Sequence, residues 1–241
     1  MMRRCTLYRL FPAALAACAV FVSAAALADD PHQTEAGFFD IHVCNWPDQP
    51  LFLMALFSTR RFGDIARIDL IAPDGSNLGP LDLSRYRPGE DPDKVEKRVL
   101  MTHYPVPEKS PDGWYRARIT MKDGKTFDAR DHVVRKTLPF ASGHLPADRS
   151  ENTPLPADLR WDPVPGAGFY QVYVRDEWES DRYLLISKII KDNFLKIPAG
   201  LFKPGGSYTW RVHARDINGD PEWGDFNHGS LAREARFSIA E

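Results

Sequence analysis

The chain has 241 residues, with 31 Lys and Arg against 33 Asp and Glu, a net charge of −2 and three cysteines. This faintly acidic balance argues against the basic surface that nucleic acid or an anionic membrane face attracts. Three thiols are too few for a disulfide framework, so stability must come from buried apolar surface.

The first element stands apart from any fold. "MMRR" opens with positive charge, Leu10–Leu27 is almost wholly apolar, and Ala26-Leu27-Ala28 has the small-x-small pattern of a signal-peptidase site. Residues 1–28 are therefore expected to be a cleaved signal peptide. Leu15-Ala16-Ala17-Cys18 also reads as a lipobox, so a lipid anchor at Cys18 is the second reading. Either route carries the chain out of a bacterial cytoplasm, to the periplasm or beyond. Removal takes Arg3, Arg4 and Arg9 and no acid, leaving 28 basic against 33 acidic residues, a net −5. Cys5 and Cys18 leave as well, so Cys44 has no internal partner. No later apolar run approaches a membrane span, because the longest, Leu51–Phe57, is strand-sized.

From Asp29 onward, Pro and Gly punctuate short alternating runs, the pattern of an all-β sandwich. In "FFDIHV", Phe39, Ile41 and Val43 share a face, with His42 and Cys44 opposite. "IARIDLIAPDGS" is a strand ending in a Pro-Asp-Gly turn. Asp91–Met101 has a capping Asp and an early Pro, and reads as a helix or an edge strand. Tyr115, Ala117, Ile119 and Met121 line one face of a strand whose return begins after the Asp123-Gly124 hairpin turn. The return strand's alternation slips near Asp131, where a bulge is expected. Residues 36–137 thus predict a first sandwich of broadly immunoglobulin-like architecture, without a Cys pair.

Pro139–Asp158 is polar, holds four prolines and shows no periodicity, which predicts a connector over 138–158. Residues 159–241 then predict a second sandwich. Leu159 and Trp161 point one way from a short strand. Tyr170, Val172 and Val174 line the next, with Gln171, Tyr173 and Arg175 on its other face. "GSYTWRVHARD" puts Tyr208, Trp210, Val212 and Ala214 on one side, and Thr209, Arg211, His213 and Arg215 on the other. With Trp161, Tyr170 and Leu201…Pro204-Gly205-Gly206-Ser207-Tyr208, this order resembles the fibronectin type III family over roughly residues 152–241. The resemblance implies that the Tyr208 hydroxyl folds back onto upstream backbone as a tyrosine corner. It also implies that the third and sixth strands are neighbours. Gly113-Trp114-Tyr115 places the same Gly-x-Tyr at the head of a strand in the first half.

Catalysis finds little footing. No G-x-S-x-G, H-E-x-x-H or Walker motif is present. His42 beside Cys44 reads as a surface histidine next to an incidental thiol. Asp216–Asp225 gathers acids in a loop but does not match a calcium-binding repeat, and Asn218-Gly219 is first of all a turn. No cofactor or metal is expected. Glu177 and Glu179 around Trp178, and Glu222 before Trp223, are the carboxylates that a small carbohydrate-active hydrolase would use. The better candidates are contact residues. Trp178, Tyr183, Trp223 and Phe226 are large rings in polar loops, and Tyr173 and Arg211 belong to a basic strip on the outer sheet face. The reading that results is a non-enzymatic exported module that recognises an envelope protein or a glycan. The other readings are the hydrolase and a structural spacer.

Overall fold

The structure, a computed structural model, describes residues 30–89, 95–109, 111–179, 182–217 and 226–241. The expected signal peptide, Cys18, Glu222 and Trp223 lie outside them. The described chain is all-β. Its first half runs β1 (Gln33–Thr34), β2 (Gly37–Asn45), β3 (Phe52–Thr59), β4 (Ile65–Ile71), β5 (Asn77–Pro80), β6 (Tyr86–Gly89), β7 (Lys97–Pro105), β8 (Gly113–Met121) and β9 (Thr126–Val133). Its second half runs β10 (Ser150–Thr153), β11 (Asp158–Arg160), β12 (Phe169–Asp176), β13 (Leu185–Ile186), β14 (Phe194–Lys196), β15 (Ser207–Arg215), β16 (His228–Leu231) and β17 (Ala235–Ile239).

Each half buries a core between two layers, because alternating strands have one apolar face to hide. In the first half the sheet β5-β4-β8-β9 covers β2, β3 and β7. Phe39, Ile41, Leu53, Phe57, Tyr115 and Ile119 meet between them. The hairpin at Asp123-Gly124 forms as the sequence predicts: Gly124 sits at φ 86° and the Met121 N–H donates to the Lys125 carbonyl at 2.8 Å. The Pro73-Asp74-Gly75 turn forms too, with Gly75 at φ 87°. In the second half Trp161, Tyr170, Val172, Tyr208, Trp210 and Val212 share one core, between β12, β15 and β17 on one side and the β11-β14 pair on the other.

Three expectations need correction. From Lys97 the candidate helix is β7, an interior strand paired with β3 on one side and β6 on the other, so it is no edge; residues 90–94 lie outside the described residues. No bulge occurs at Asp131. The β8–β9 register is unbroken and Asp131 takes an inward position, where its Oδ2 accepts the Ile41 N–H at 2.9 Å. The apparent slip is a buried carboxylate standing where a hydrophobe was expected. Finally, the stretch expected as a connector packs with the second core. Leu138 and Ala141 are buried there, Leu145 exchanges backbone bonds with Arg160, and Ser150–Thr153 pairs parallel to β17. Its pairing is intermittent, which is why no period shows in the sequence.

The halves do not hang side by side. β16 of the second half pairs parallel with β2 of the first, His228 opposite Val43, Gly229 opposite Cys44 and Ser230 opposite Asn45. One eleven-stranded sheet therefore runs through both sandwiches. The seam is tied further by Asn45 Nδ2 donating to the Leu138 carbonyl at 3.1 Å and Ser230 Oγ donating to the Pro139 carbonyl at 2.7 Å.

Candidate functional site at the seam of the two sandwiches

The parallel pairing has a chemical consequence. It brings the polar face of β15 against the second face of β3. The expected adjacency of the third and sixth strands of the second half is present: Gln171 lies opposite His213 and Tyr173 opposite Arg211. Their polar side chains do not form an outer surface, however. His213 and Arg215 are each only 7% exposed, because the first half covers them. The strip instead lines a cavity of about 220 Å³, whose far wall is Met54, Leu56 and Met101. Met54 and Leu56 belong to an apolar cluster with Cys44, Phe52 and Val99 on the β3 face turned away from the main core.

Three guanidinium groups, of Arg87, Arg211 and Arg215, reach this cavity. Arg211 Nη2 donates to Tyr183 Oη at 2.7 Å, and its Nε lies 3.7 Å from Glu234, which also faces Arg175 at 3.5 Å. Arg215 Nη2 donates to Gln171 Oε1 at 2.7 Å, and its guanidinium lies 4.8 Å from the centre of the Phe226 ring. Tyr173 Oη donates to the same Gln171 oxygen at 2.8 Å, and the Tyr173 and Tyr183 rings lie 5.2 Å apart. No Asp or Glu is among the described residues lining the cavity.

Two histidines here are neutral for a physical reason. Burial away from water pushes His42 down to about 3, with the Arg215 charge acting in the same direction. His213 is driven well below its ordinary value by the same two causes, in the same order. Asp40 holds the His42 ring through Nδ1 at 2.8 Å. At the edge of the seam, burial lowers His228 but is outweighed by its hydrogen bond to Asp216 at 2.9 Å, so the net shift is upward.

Four of the six contact candidates converge: Tyr173, Tyr183, Arg211 and Phe226 all line the cavity. Phe226 is not the exposed ring the sequence suggested. It is 4% exposed and stacks on His42 at 3.9 Å, because the β2–β16 pairing carries it across the seam. Trp178 stands elsewhere, 80% exposed on its loop, and Trp223 lies outside the described residues. His42 and Cys44 share a face of β2 as expected, but both are buried rather than on the surface. Burial raises the Cys44 thiol far above its ordinary range, so it stays protonated and unreactive. Glu177 is held by Arg236 at 2.7 Å and by Ser207, away from the cavity. Asp216, the first acid of the candidate calcium loop, accepts from the Asn227 and His228 backbone N–H groups, both at 3.0 Å. Most of that loop, residues 218–225, lies outside the described residues. Among the described residues no group of three metal-binding side chains occurs, and no helix is long and apolar enough to cross a membrane.

Sequence reasoning missed that the strip and the cavity are one thing. The signal was in "LFLMALF", which is apolar on both faces where a half-exposed strand would alternate. A larger furrow, of about 580 Å³, lies between Asp148–Glu151 and β17, but its cations Arg149 and Arg236 already face Asp148 and Glu177.

No family model matches the chain, and no curated protein does. Among solved structures it is similar to SGBP-B of the Bacteroides ovatus mixed-linkage glucan utilization locus, in complex with a mixed-linkage heptasaccharide. The identity is 16% over 89% of this chain and 46% of that one, with a TM-score of 0.25. Dimeric latent PorU from Porphyromonas gingivalis is 12% identical over 87% of this chain and 20% of that one, with a TM-score of 0.27. DIP-gamma IG1+IG2 is 11% identical over 86% and 98%, with a TM-score of 0.22. The chain thus spans less than half the length of the first two. At such scores none of the three bears on function, and the β-sandwich architecture rests on the strand pairing itself.

Proposed function

We propose that this chain is a non-enzymatic, exported binding module of the bacterial cell envelope, with the seam cavity as its recognition site. The observation that carries the reading is the cavity's composition: cations, phenols, neutral imidazoles and apolar walls, with no carboxylate among the described lining residues. Glycoside hydrolysis ordinarily needs two carboxyl groups flanking the scissile bond, and the acids nearest this description, Glu177 and Glu179, are engaged with Arg236 and Arg182. A small concave site with a few convergent polar groups suits recognition. Export is supported by the basic start, apolar stretch and A-x-A pattern of residues 1–28. The fibronectin-like order of the second half and the immunoglobulin-like order of the first suit such a module, though fold by itself assigns no function.

The test is to immobilise the chain from Asp29 onward and probe it with a glycan array and with envelope extract, while assaying the same preparation against a panel of glycosides. The expected outcome is saturable retention of a partner with every glycoside intact. Turnover that survives further purification would replace this reading with the hydrolase.

A further inference from the structure

One cation in the seam cavity has no carboxylate in contact with it among the described residues. Arg215 is 7% exposed, and the one carboxylate whose charge acts on it, Asp40, makes its hydrogen bond to His42. Its ties are to neutral partners, Gln171 and Tyr173, and leave Nε without a hydrogen-bond partner. His213, equally buried and lining the same space, has Nε2 without a partner as well. Guanidinium does not give up its proton under ordinary conditions, so Arg215 keeps its charge in a desolvated place. Buried charges in proteins are paired or coordinated. The nearest negative charges do not touch Arg215: Glu234 faces Arg175 and Arg211, and Asp40, hydrogen-bonded to His42, favours the Arg215 charge only through space.

We infer that the seam cavity binds the carboxylate of an acidic sugar residue, a hexuronate, with Arg215 as the anion-binding group. This deepens the binding reading above and rests on it. The carboxylate follows from the donors on offer. Arg215 presents the planar fork that matches two carboxylate oxygens. The described lining includes no glycine-rich loop or row of backbone N–H groups of the kind that holds a phosphate. The sugar body follows from size and surface. A space of about 220 Å³ is smaller than a drug-sized site and takes one ring. Tyr183 and Tyr173 line the space with their rings for the C–H side of a pyranose, while the Tyr183 hydroxyl meets its hydroxyl groups. Met54, Leu56 and Met101 close the opposite wall.

The experiment is a calorimetric and NMR titration of the folded chain from Asp29. The probes are sodium glucuronate and galacturonate, set against glucose, inorganic phosphate and a blocked glutamate peptide. Both uronates, or one of them, should bind at least tenfold more tightly than glucose, phosphate or the peptide. Arg215→Gln should reduce uronate binding tenfold or more, abolishing the preference for uronate over glucose. Tyr183→Phe, at the rim, should weaken it several-fold and guards against an unfolded Arg215 variant. Equal response to glucose and uronate overturns the inference, as does uronate binding that is indifferent to Arg215→Gln in a folded protein. Preference for the peptide or for phosphate overturns the sugar assignment. If array or extract partners are still retained when uronate binding fails, the inference falls and the binding function stands. If nothing is retained, both fall.

Discussion

β3 and β15 are the same kind of strand with opposite second faces. Each turns one side into its own core: Leu53, Ala55 and Phe57 in the first half, Tyr208, Trp210 and Val212 in the second. On the other side β3 presents Phe52, Met54 and Leu56, whereas β15 presents Arg211, His213 and Arg215. Solvent would normally cover that second face. Here the β2–β16 pairing folds the two second faces toward one another, so that apolar and cationic walls enclose one space. The core faces hold each sandwich together, and the second faces give the molecule something to bind with. Burying Arg215 with no carboxylate in contact among the described residues is a stability cost that ordinary surface residues do not carry. The seam should therefore respond to pH and to small steric changes more sharply than either core.

The largest effect expected is on acid stability. His42 is neutral in the folded chain, with its pKa lowered to about 3, and titrates near 6.5 when unfolded. Below 6.5 the unfolded state binds more protons, so stability falls as pH falls, and it keeps falling until about pH 3. Two pH units below 6.5 the loss from His42 alone is about 3 kcal/mol. His213 adds a loss of the same sign. His228 works the other way and in a higher window: its raised folded value adds stability as pH falls toward 6.5, and that gain is complete before the His42 loss sets in. Asp216, lowered to about 2, contributes stability that is lost only below its unfolded value near 3.8. Urea melts at pH 7.5 and pH 4.5 should differ by several kcal/mol, and His42→Asn should flatten the profile. A stability curve that stays level across that interval would mean the imidazoles face water and the seam is open.

A smaller effect separates the seam from an ordinary loop. Gly229 lies where β16 crosses to β2, and a Cβ added there would come within 2.5 Å of His213 Nε2 and 2.6 Å of the Phe226 ring. Neither neighbour has room to retreat, since both are buried. Gly229→Ala should lose about 1–3 kcal/mol, as over-packed interiors do. Gly63→Ala, where nothing stands within 4 Å, should be close to neutral. Matched melting temperatures for the two variants would show that the halves are not pressed together at this point.

How much of this was written locally in the chain divides along the same line. The cores were legible because alternation is a short-range signal: Tyr115 through Met121 and Tyr208 through Ala214 each declare an inward face. Turns were legible at Asp123-Gly124 and Pro73-Asp74-Gly75, where a glycine must take positive φ. The cavity was legible only in parts. Tyr173, Tyr183 and Arg211 stood out as contact residues, but whether the polar face of β15 meets solvent depends on β16 pairing with a strand nearly 190 residues earlier. Asp131 escaped for a related reason. Its buried carboxylate is made tolerable by the Ile41 N–H, some 90 residues away, so its inward position looked like a defect in the pattern.

The finest distinction lies between the two Gly-x-Tyr heads. Both tyrosine hydroxyls fold back upstream, but with opposite polarity. Tyr115 Oη donates to the Pro111 carbonyl at 2.9 Å, whereas Tyr208 Oη accepts from the Lys203 N–H at 2.9 Å. The glycines differ as well. Gly113 holds φ 128° against Pro73, while Gly206 is needed because the Tyr208 ring lies where a side chain would stand. Replacing either tyrosine with Phe keeps the ring in its core and removes one hydrogen bond, at a cost of about 0.5–1.5 kcal/mol. A part-buried carbonyl left without a partner is tolerated more often than an N–H left the same way. Tyr208→Phe should therefore cost more than Tyr115→Phe, read as the difference in urea midpoint at constant slope. The reverse order would show that the corner of the first half is the stiffer of the two, and that the shared motif conceals a deeper asymmetry than polarity alone.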